Sequence, residues 1–296
     1  MSNTSLPSLY PEFHYHDATA GIAFLERVFG FGPSAVHTDP DGRVVFHADI
    51  RVGRGYVMTA TLAGDAYAYA VPRDIGNAST GSTYVGMPDV ESVYARVRAA
   101  GVEIVRDMQQ TDYGSRDFSV RDGEGVLWHF GTYRPTVGGA DPYASPGIEV
   151  YCGHRYEDAR AAIAWLVKAF GFAEHEVHAG EGDQIAHAQL SFGNDIFMTG
   201  SARDDIFAFR TPAQLGGRYT HAICGYADDP DGHCARARAA GAEIMQEPAD
   251  QAYGARVYVA RDPEGFVWCF GTYRPSVQAP AVDVVGGVAE GAVSAG

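Results

Sequence analysis

The string Phe-Gly-Thr-Tyr-Arg-Pro occurs twice in the chain, at 130–135 and again at 270–275, each time behind an aspartate, a glycine and a tryptophan. The lead-in to the first copy runs from Asp122 to Trp128, and the lead-in to the second from Asp262 to Trp268. Upstream, Arg98-Ala-Ala-Gly matches Arg238-Ala-Ala-Gly, Tyr113-Gly matches Tyr253-Gly, and Val28-Phe-Gly-Phe matches Ala169-Phe-Gly-Phe. A chain that repeats itself over about half its length folds as two similar halves. The expected organisation is a first domain over 8–135, a Gly- and Pro-rich linker over 136–147, and a second domain over 148–275. A tail of Ala, Gly and Val without periodicity, expected to be disordered, follows over 276–296.

Each half divides again. Residues 10–15 predict a strand, and Asp17 is placed to cap a helix whose Ile22, Leu25 and Phe29 recur at helical spacing until Gly30 stops it. Strand-like runs follow at 34–37, 44–52 and 56–61, with Asp41-Gly42 as a hairpin turn. The order then recurs, with a strand at 83–87, a helix from Asp89 to Gly101, and strands at 103–106, 116–121 and 126–133. Strand, helix and three strands, four times over, is an α+β fold of four βαβββ modules.

Composition removes several function classes. The formal net charge of −15 opposes a polyanion such as nucleic acid, whose binding needs clustered Lys and Arg. No basic stretch followed by an apolar one opens the chain, and no run approaches the roughly 20 apolar residues that span a bilayer, so neither export nor a membrane is expected. Cys152, Cys224, Cys234 and Cys269 form no Cys-x-x-Cys pair, which argues against a disulfide framework or a thiolate zinc site and suits a reducing cytoplasm. A phosphate-binding Gly-x-x-x-x-Gly-Lys loop, a Gly-x-Ser-x-Gly elbow and a dinucleotide-binding Gly-x-Gly-x-x-Gly are all missing.

The Asp-x-x-Gly-x-x-Trp-x-Phe endings at 122–130 and 262–270, with the Phe-Gly-Phe and Arg-Ala-Ala-Gly helix ends, resemble the vicinal oxygen chelate superfamily. That superfamily is the glyoxalase, bleomycin-resistance and extradiol-dioxygenase group, and the resemblance runs over nearly all of 10–275. It implies that βαβββ modules pair, that their strands curl into a partly closed cup, and that a ligand or divalent metal sits inside. A four-module chain resembles the tandem form, a fused pseudo-dimer with two glyoxalase-like domains, existing as a monomer or a homodimer. The resemblance also implies one metal ligand on the first strand and one on the fourth strand of each module. Counting from the helix-capping aspartates puts the first-strand positions at Tyr10 and Tyr151. Glycine spacing puts fourth-strand positions at His129 and Cys269, with Thr59 and Thr199 as their equivalents, while the middle first strands offer Thr83 and Ile223, with His221 nearby. The His or Gln plus Glu quartet of metal-dependent relatives is missing from this set, and Tyr or Thr hydroxyls are poor substitutes for a hard divalent cation.

Because successive strand residues point to opposite faces, Tyr10, Glu12, His14 and His16 share one side of the first strand. Arg155 shares a face with Tyr151, and Trp128 and Phe130 face away from His129. His47 and His187 occupy matching places in third strands, either bracing the sheet or touching a ligand. The ligand-binding candidates are therefore Tyr10, His14, His47, His129, Tyr151, Arg155, His187, His221 and Cys269. The loops 63–82 and 201–218 carry Tyr67, Tyr69, Phe207 and Phe209, rings suited to covering a flat organic molecule.

Three functions fit this pattern. The preferred one is a protein that holds a small organic molecule, aromatic or natural-product-like, without a metal cofactor. The alternative is a metal-dependent lyase, isomerase or ring-cleaving dioxygenase using Zn, Fe, Ni or Mn at a non-standard site of Glu12, His14 and His129, which exists only if the first two modules pair with each other. The third is acid–base catalysis by Glu12 or a histidine of the cup. Which modules pair is not fixed by the sequence.

Overall fold

Four aspartates start the four helices. Asp17, Asp89, Asp158 and Asp229 each accept a hydrogen bond from a backbone N–H of the first turn, satisfying a donor the helix itself leaves unpaired. The structure, a computed structural model, describes residues 6–64, 66–275 and 282–284. The first module consists of β1 (Leu9–Tyr15), α1 (Ala18–Phe24, continued by a π-helical turn over Leu25–Phe29), β2 (Gly32–Thr38), β3 (Val45–Val52) and β4 (Gly55–Thr61). The second consists of β5 (Gly81–Gly86), α2 (Val90–Ala99), β6 (Glu103–Gln110), β7 (Arg116–Arg121) and β8 (Leu127–Gly131). The third has β9 (Glu149–His154), α3 (Ala159–Phe170), β10 (Ala173–Ala179), β11 (Ile185–Phe192) and β12 (Asp195–Thr199). The fourth has β13 (Ala222–Tyr226), α4 (Pro230–Ala239), β14 (Glu243–Asp250), β15 (Arg256–Arg261) and β16 (Val267–Gly271). Of the tail expected over 276–296, only the short strand β17 (Val282–Val284), paired with β2, lies within the described residues.

The strands form two sheets, and neither sheet belongs to one half. The order β14-β15-β16-β13-β1-β4-β3-β2-β17 joins the fourth module to the first, and β10-β11-β12-β9-β5-β8-β7-β6 joins the third to the second. The joints are antiparallel pairs of first strands, β1 with β13 and β5 with β9. The apolar cores follow the other division. One core draws on the first half, with Phe13, Leu25, Phe29, Ile50, Trp128 and Phe130 among its buried members, and the other on the second, with Leu166, Phe170, Phe197, Trp268 and Phe270. Each half thus buries its helices against one module of each sheet, whereas each sheet is assembled from both halves. The helix-covered face of the strands is mainly apolar, interrupted by buried residues such as Thr59, Thr83, Thr199, His154 and His221, and the opposite face carries most of the other polar side chains.

At the base of each core an aspartate gathers the neighbouring donors. Asp122 accepts from the Tyr15 hydroxyl at 2.6 Å, from Trp128 Nε1 at 3.1 Å and from the backbone N–H groups of Glu124 and Val126. Asp262 does the same with Tyr156, Trp268, Glu264 and Phe266. The repeated Asp-to-Trp motif is therefore a turn that locks its own tryptophan.

Candidate functional site

The two polar faces are best described by the rows that run across them, since residues in register on neighbouring strands share a face. In the sheet of the second and third modules, one row reads Arg106, Ser119, His129, Tyr84, Tyr151. The next reads Gln189, Met198, Gly153, Ser82. In the sheet of the first and fourth modules, the matching rows are Gln246, Val259, Cys269, Cys224, Tyr10 and Asp49, Met58, Glu12, Ala222.

This register corrects the sequence reading at several positions. The residue beside the fourth-strand position is Glu12 in the first module and Gly153 in the third, two residues beyond Tyr10 and Tyr151 and on the same face. Thr59 and Thr199 are each one residue off, so they point into the buried side, and Met58 and Met198 hold the central places. Thr83 and Ile223 are likewise buried, and Tyr84 and Cys224 stand beside His129 and Cys269. His221 also faces inward, 2% exposed and 5.8 Å from the ring of Phe13, and burial pushes its imidazole down to about 3. The trio of Glu12, His14 and His129 is divided between the two sheets and forms no site.

In the face built from the first and fourth modules, Glu12 is the hub. Its carboxylate lies 3.2 Å from His14 Nε2 and accepts from the Cys224 thiol at 3.0 Å. Burial alone would raise this carboxyl, but the hydrogen bonds and charge of His14, with the Cys224 thiol, bring it down to about 2. His14 stacks on Tyr69 at 4.0 Å, and the Tyr69 hydroxyl donates to the Glu12 carbonyl, so the aromatic loop is fastened over this strand. Further along, His47 Nε2 sits 3.0 Å from Asp49, which also accepts from Tyr273. Burial lowers His47, yet the adjacent Asp49 and Glu12 outweigh it and the net shift is upward. Cys224 is pushed well up by its hydrogen bond with Cys269, by burial and by the charge of Glu12. Tyr10 is buried, its hydroxyl donating to the Pro7 carbonyl.

The other face is cationic where the first is acidic. His129 Nδ1 pairs with Ser119 Oγ at 2.7 Å, and Phe207 meets the imidazole edge-on at 4.9 Å with Phe209 beyond it. Burial, reinforced by the guanidinium groups of Arg106, Arg155 and Arg121, holds His129 down to about 3, a neutral ring. Arg121 donates to the Phe207 carbonyl and Arg155 to the Ala186 carbonyl. His187, the counterpart of His47, is lowered to about 4 by burial and by Arg155, and its neighbour in place of Asp49 is Gln189, which donates to the Tyr133 hydroxyl. Tyr151 donates to the Pro135 carbonyl and is buried. Sequence reading missed Cys224, Asp49, Arg106 and Arg121. Aligning the capping aspartates of all four modules, rather than of the halves, would have made Cys224 the counterpart of Glu12, each five residues before its cap.

The central donors do not suit the divalent cation that the resemblance implies. Around His129 stand Tyr84, Gly153 and Met198, a single imidazole among three guanidinium groups that repel a cation. Around Glu12 stand Met58, Cys224 and Cys269, one carboxylate with soft sulfur and no imidazole in the central set. Among the described residues, no group of three or more His, Cys, Asp or Glu is arranged to hold a metal ion. No helix among them is long and apolar enough to cross a membrane.

Comparison with known proteins agrees with this architecture. An uncharacterised protein of Mycobacterium bovis is 32% identical over 136 residues, covering 44% of this chain and 83% of that protein. Glyoxalase I from Zea mays superposes with a TM-score of 0.64 at 15% identity, over 90% of this chain and 92% of that one. A putative dioxygenase from Bacillus subtilis gives a TM-score of 0.56 at 12% identity, over 90% and 86%. Both solved structures show a shared fold. The sequence model of the Glyoxalase/Bleomycin resistance protein/Dioxygenase superfamily matches twice, at 13–130 and 150–270, and the chain belongs to that superfamily.

Proposed function

We propose that the protein holds small organic molecules against its two polar sheet faces, without a metal cofactor. The observation that carries this reading is the donor arrangement: on one face Glu12 pairs with His14 and Asp49 with His47, on the other His129 stands among arginines, and among the described residues no three His, Cys, Asp or Glu are arranged to hold one cation. Support comes from the aromatic loops, since Tyr67 and Tyr69 lie over one face and Phe207 and Phe209 over the other. The central side chains Glu12, Cys224, Cys269, His129 and Tyr84 are only half-buried, whereas their strand neighbours are fully enclosed. Each sheet is completed within a single chain, so neither face requires a second copy.

Elemental analysis of the purified protein tests the reading. The expected result is far less than one transition metal per chain, with an organic compound recovered from denatured protein or a small molecule retained without turnover. Near-stoichiometric Fe, Zn, Ni or Mn, lost in Glu12→Gln or His129→Ala, would overturn it in favour of a metal-dependent enzyme.

A further inference from the structure

We infer that the face of the second and third modules takes an aromatic carboxylate, its anionic group held by Arg106, Arg121 and Arg155 and its ring placed beside His129, Phe207 and Phe209. The inference rests on the small-molecule reading above and specifies its ligand class. The first ground is charge balance. Arg121 is 4% exposed and Arg155 is half-buried, and among the described residues each hydrogen-bonds only to a backbone carbonyl, of Phe207 and Ala186 respectively. A carbonyl satisfies a donor but neutralises no charge, and a buried cation without a directly bonded anion is stabilised when one joins it. The second ground is unused donors, because Arg121 Nη1 and Arg106 Nε are buried with no hydrogen-bond partner. The guanidinium fork is suited to a planar carboxylate, which it can meet with two parallel N–H bonds.

Acidic groups stand nearby but, among the described residues, close no hydrogen bond with these guanidinium groups: Glu103 is paired in register with Arg121, and Asp205 attracts both Arg121 and Arg155. Arg106 lies 3.7 Å from Asp117, a carboxylate that also accepts from the Tyr113 and Ser115 hydroxyls and offsets part of the Arg106 charge, yet Arg106 Nε stays without a hydrogen-bond partner. Glu176 faces Gln189. The repeat supplies an internal control. At the positions of Arg106 and Arg155 the other face has Gln246 and His14, and the counterpart of Arg121 is Arg261, which lies 3.6 Å from Glu243. Glu103 stands opposite Arg121 as Glu243 stands opposite Arg261, so the cationic excess of this face comes from Arg106 and Arg155. The apolar side of the ligand follows from the loop, since the Arg106 guanidinium lies 5.2 Å over the Phe207 ring and Leu127 is buried beneath it.

The test titrates the full chain with 2-naphthoate and with its neutral isostere 2-naphthamide, by calorimetry or ligand fluorescence. The expected result is that the carboxylate binds at least about tenfold more tightly than the amide. In Arg106→Gln and Arg155→His, which carry the residues found at the matching places of the other face, carboxylate affinity should fall by about tenfold or more while amide affinity holds within about twofold. Equal binding of the two probes by the unaltered chain would overturn the anion inference and leave the small-molecule reading standing, and needs no variant to fold. Silence of both probes, and of benzoate and benzamide, up to millimolar concentration would overturn both.

Discussion

The two polar faces stand on the same frame and differ residue by residue. Where one has Arg106, Ser119, His129 and Tyr84 in a row, the other has Gln246, Val259, Cys269 and Cys224, and where one has Gln189 and Gly153 the other has Asp49 and Glu12. The result is a cationic face with a neutral imidazole and an acidic face with two thiols. Tandem duplication lets the apolar core stay the same while the solvent-facing alternate residues diverge, because the two sets point to opposite sides of each strand. Function here is to be sought in the difference, and stability in what is shared.

The sharpest way to break that division is to attack the shared frame in each half. Asp122→Ala and Asp262→Ala each leave a buried tyrosine hydroxyl, an indole N–H and backbone N–H groups unpartnered. Each substitution should therefore cost about 3 kcal/mol or more, and by similar amounts. Denaturant unfolding at neutral pH measures both. A near-neutral effect in either half would mean that the halves are not equivalent scaffolds.

A smaller effect is expected where the frame itself loses symmetry. His154 occupies the place of Phe13, is 2% exposed, and has neither ring nitrogen hydrogen-bonded. Burial and the neighbouring His221 hold its imidazole well below its ordinary value, so the folded state keeps it neutral in acid while the unfolded chain takes up a proton. Stability is thus lost as pH falls below about 6.5, by about 2 kcal/mol at pH 5 for a ring that stays neutral there. His154→Phe should remove this acid penalty, raising stability at pH 5 relative to the parent by more than it does at pH 7.5. An equal change at the two values would show that the ring is already protonated in the fold.

Much of the frame was legible in the sequence because it is written in local chemistry. The capping aspartates, the glycine-stopped helices and the Asp-to-Trp turns sit where their short-range patterns put them, and strand edges moved by only a few residues. Module pairing was not legible, since both arrangements bury the same apolar faces and the choice lies in which first strands meet, β1 with β13 and β5 with β9. Register suffered from the period of two. Reading Tyr10 for Glu12 kept the correct face, but reading Thr59 for Met58 shifted by one and turned the residue inward. Arg155 was among the candidates, but Arg106 and Arg121 were missed because each looks like an ordinary strand-surface charge until the loop carrying Phe207 is folded over them.

On the acidic face, the charge of Glu12 can be read through Cys224. Its hydrogen bond with Cys269, burial and the Glu12 carboxylate all keep the thiol protonated. Removing the charge in Glu12→Gln should increase the thiolate fraction, and alkylation of Cys224 by iodoacetamide at pH 8 should quicken by about tenfold. Peptide mapping distinguishes Cys224 from Cys269. An unchanged or slower rate at Cys224 would remove Glu12 from its role as the hub of that face.

The finest comparison is between two histidines in matching places. His47 has Asp49 beside it and is raised, whereas His187 has Gln189 there and is lowered to about 4 by burial and by Arg155. Their contributions to stability therefore run in opposite directions with pH. The contribution of His47 is fully present below about 6.5 and is lost as pH rises through its higher folded value, while that of His187 declines as pH falls from about 6.5 towards 4. NMR titration of the imidazole Hε1 signals should show one ring titrating above the ordinary value and the other below it. Asp49→Asn should reverse His47 alone, because the burial that lowers it persists while the neighbouring charge that raises it is gone. If His47 still titrates above 6.5 in that variant, its elevation comes from Glu12, and the acidic face acts through one carboxylate rather than two.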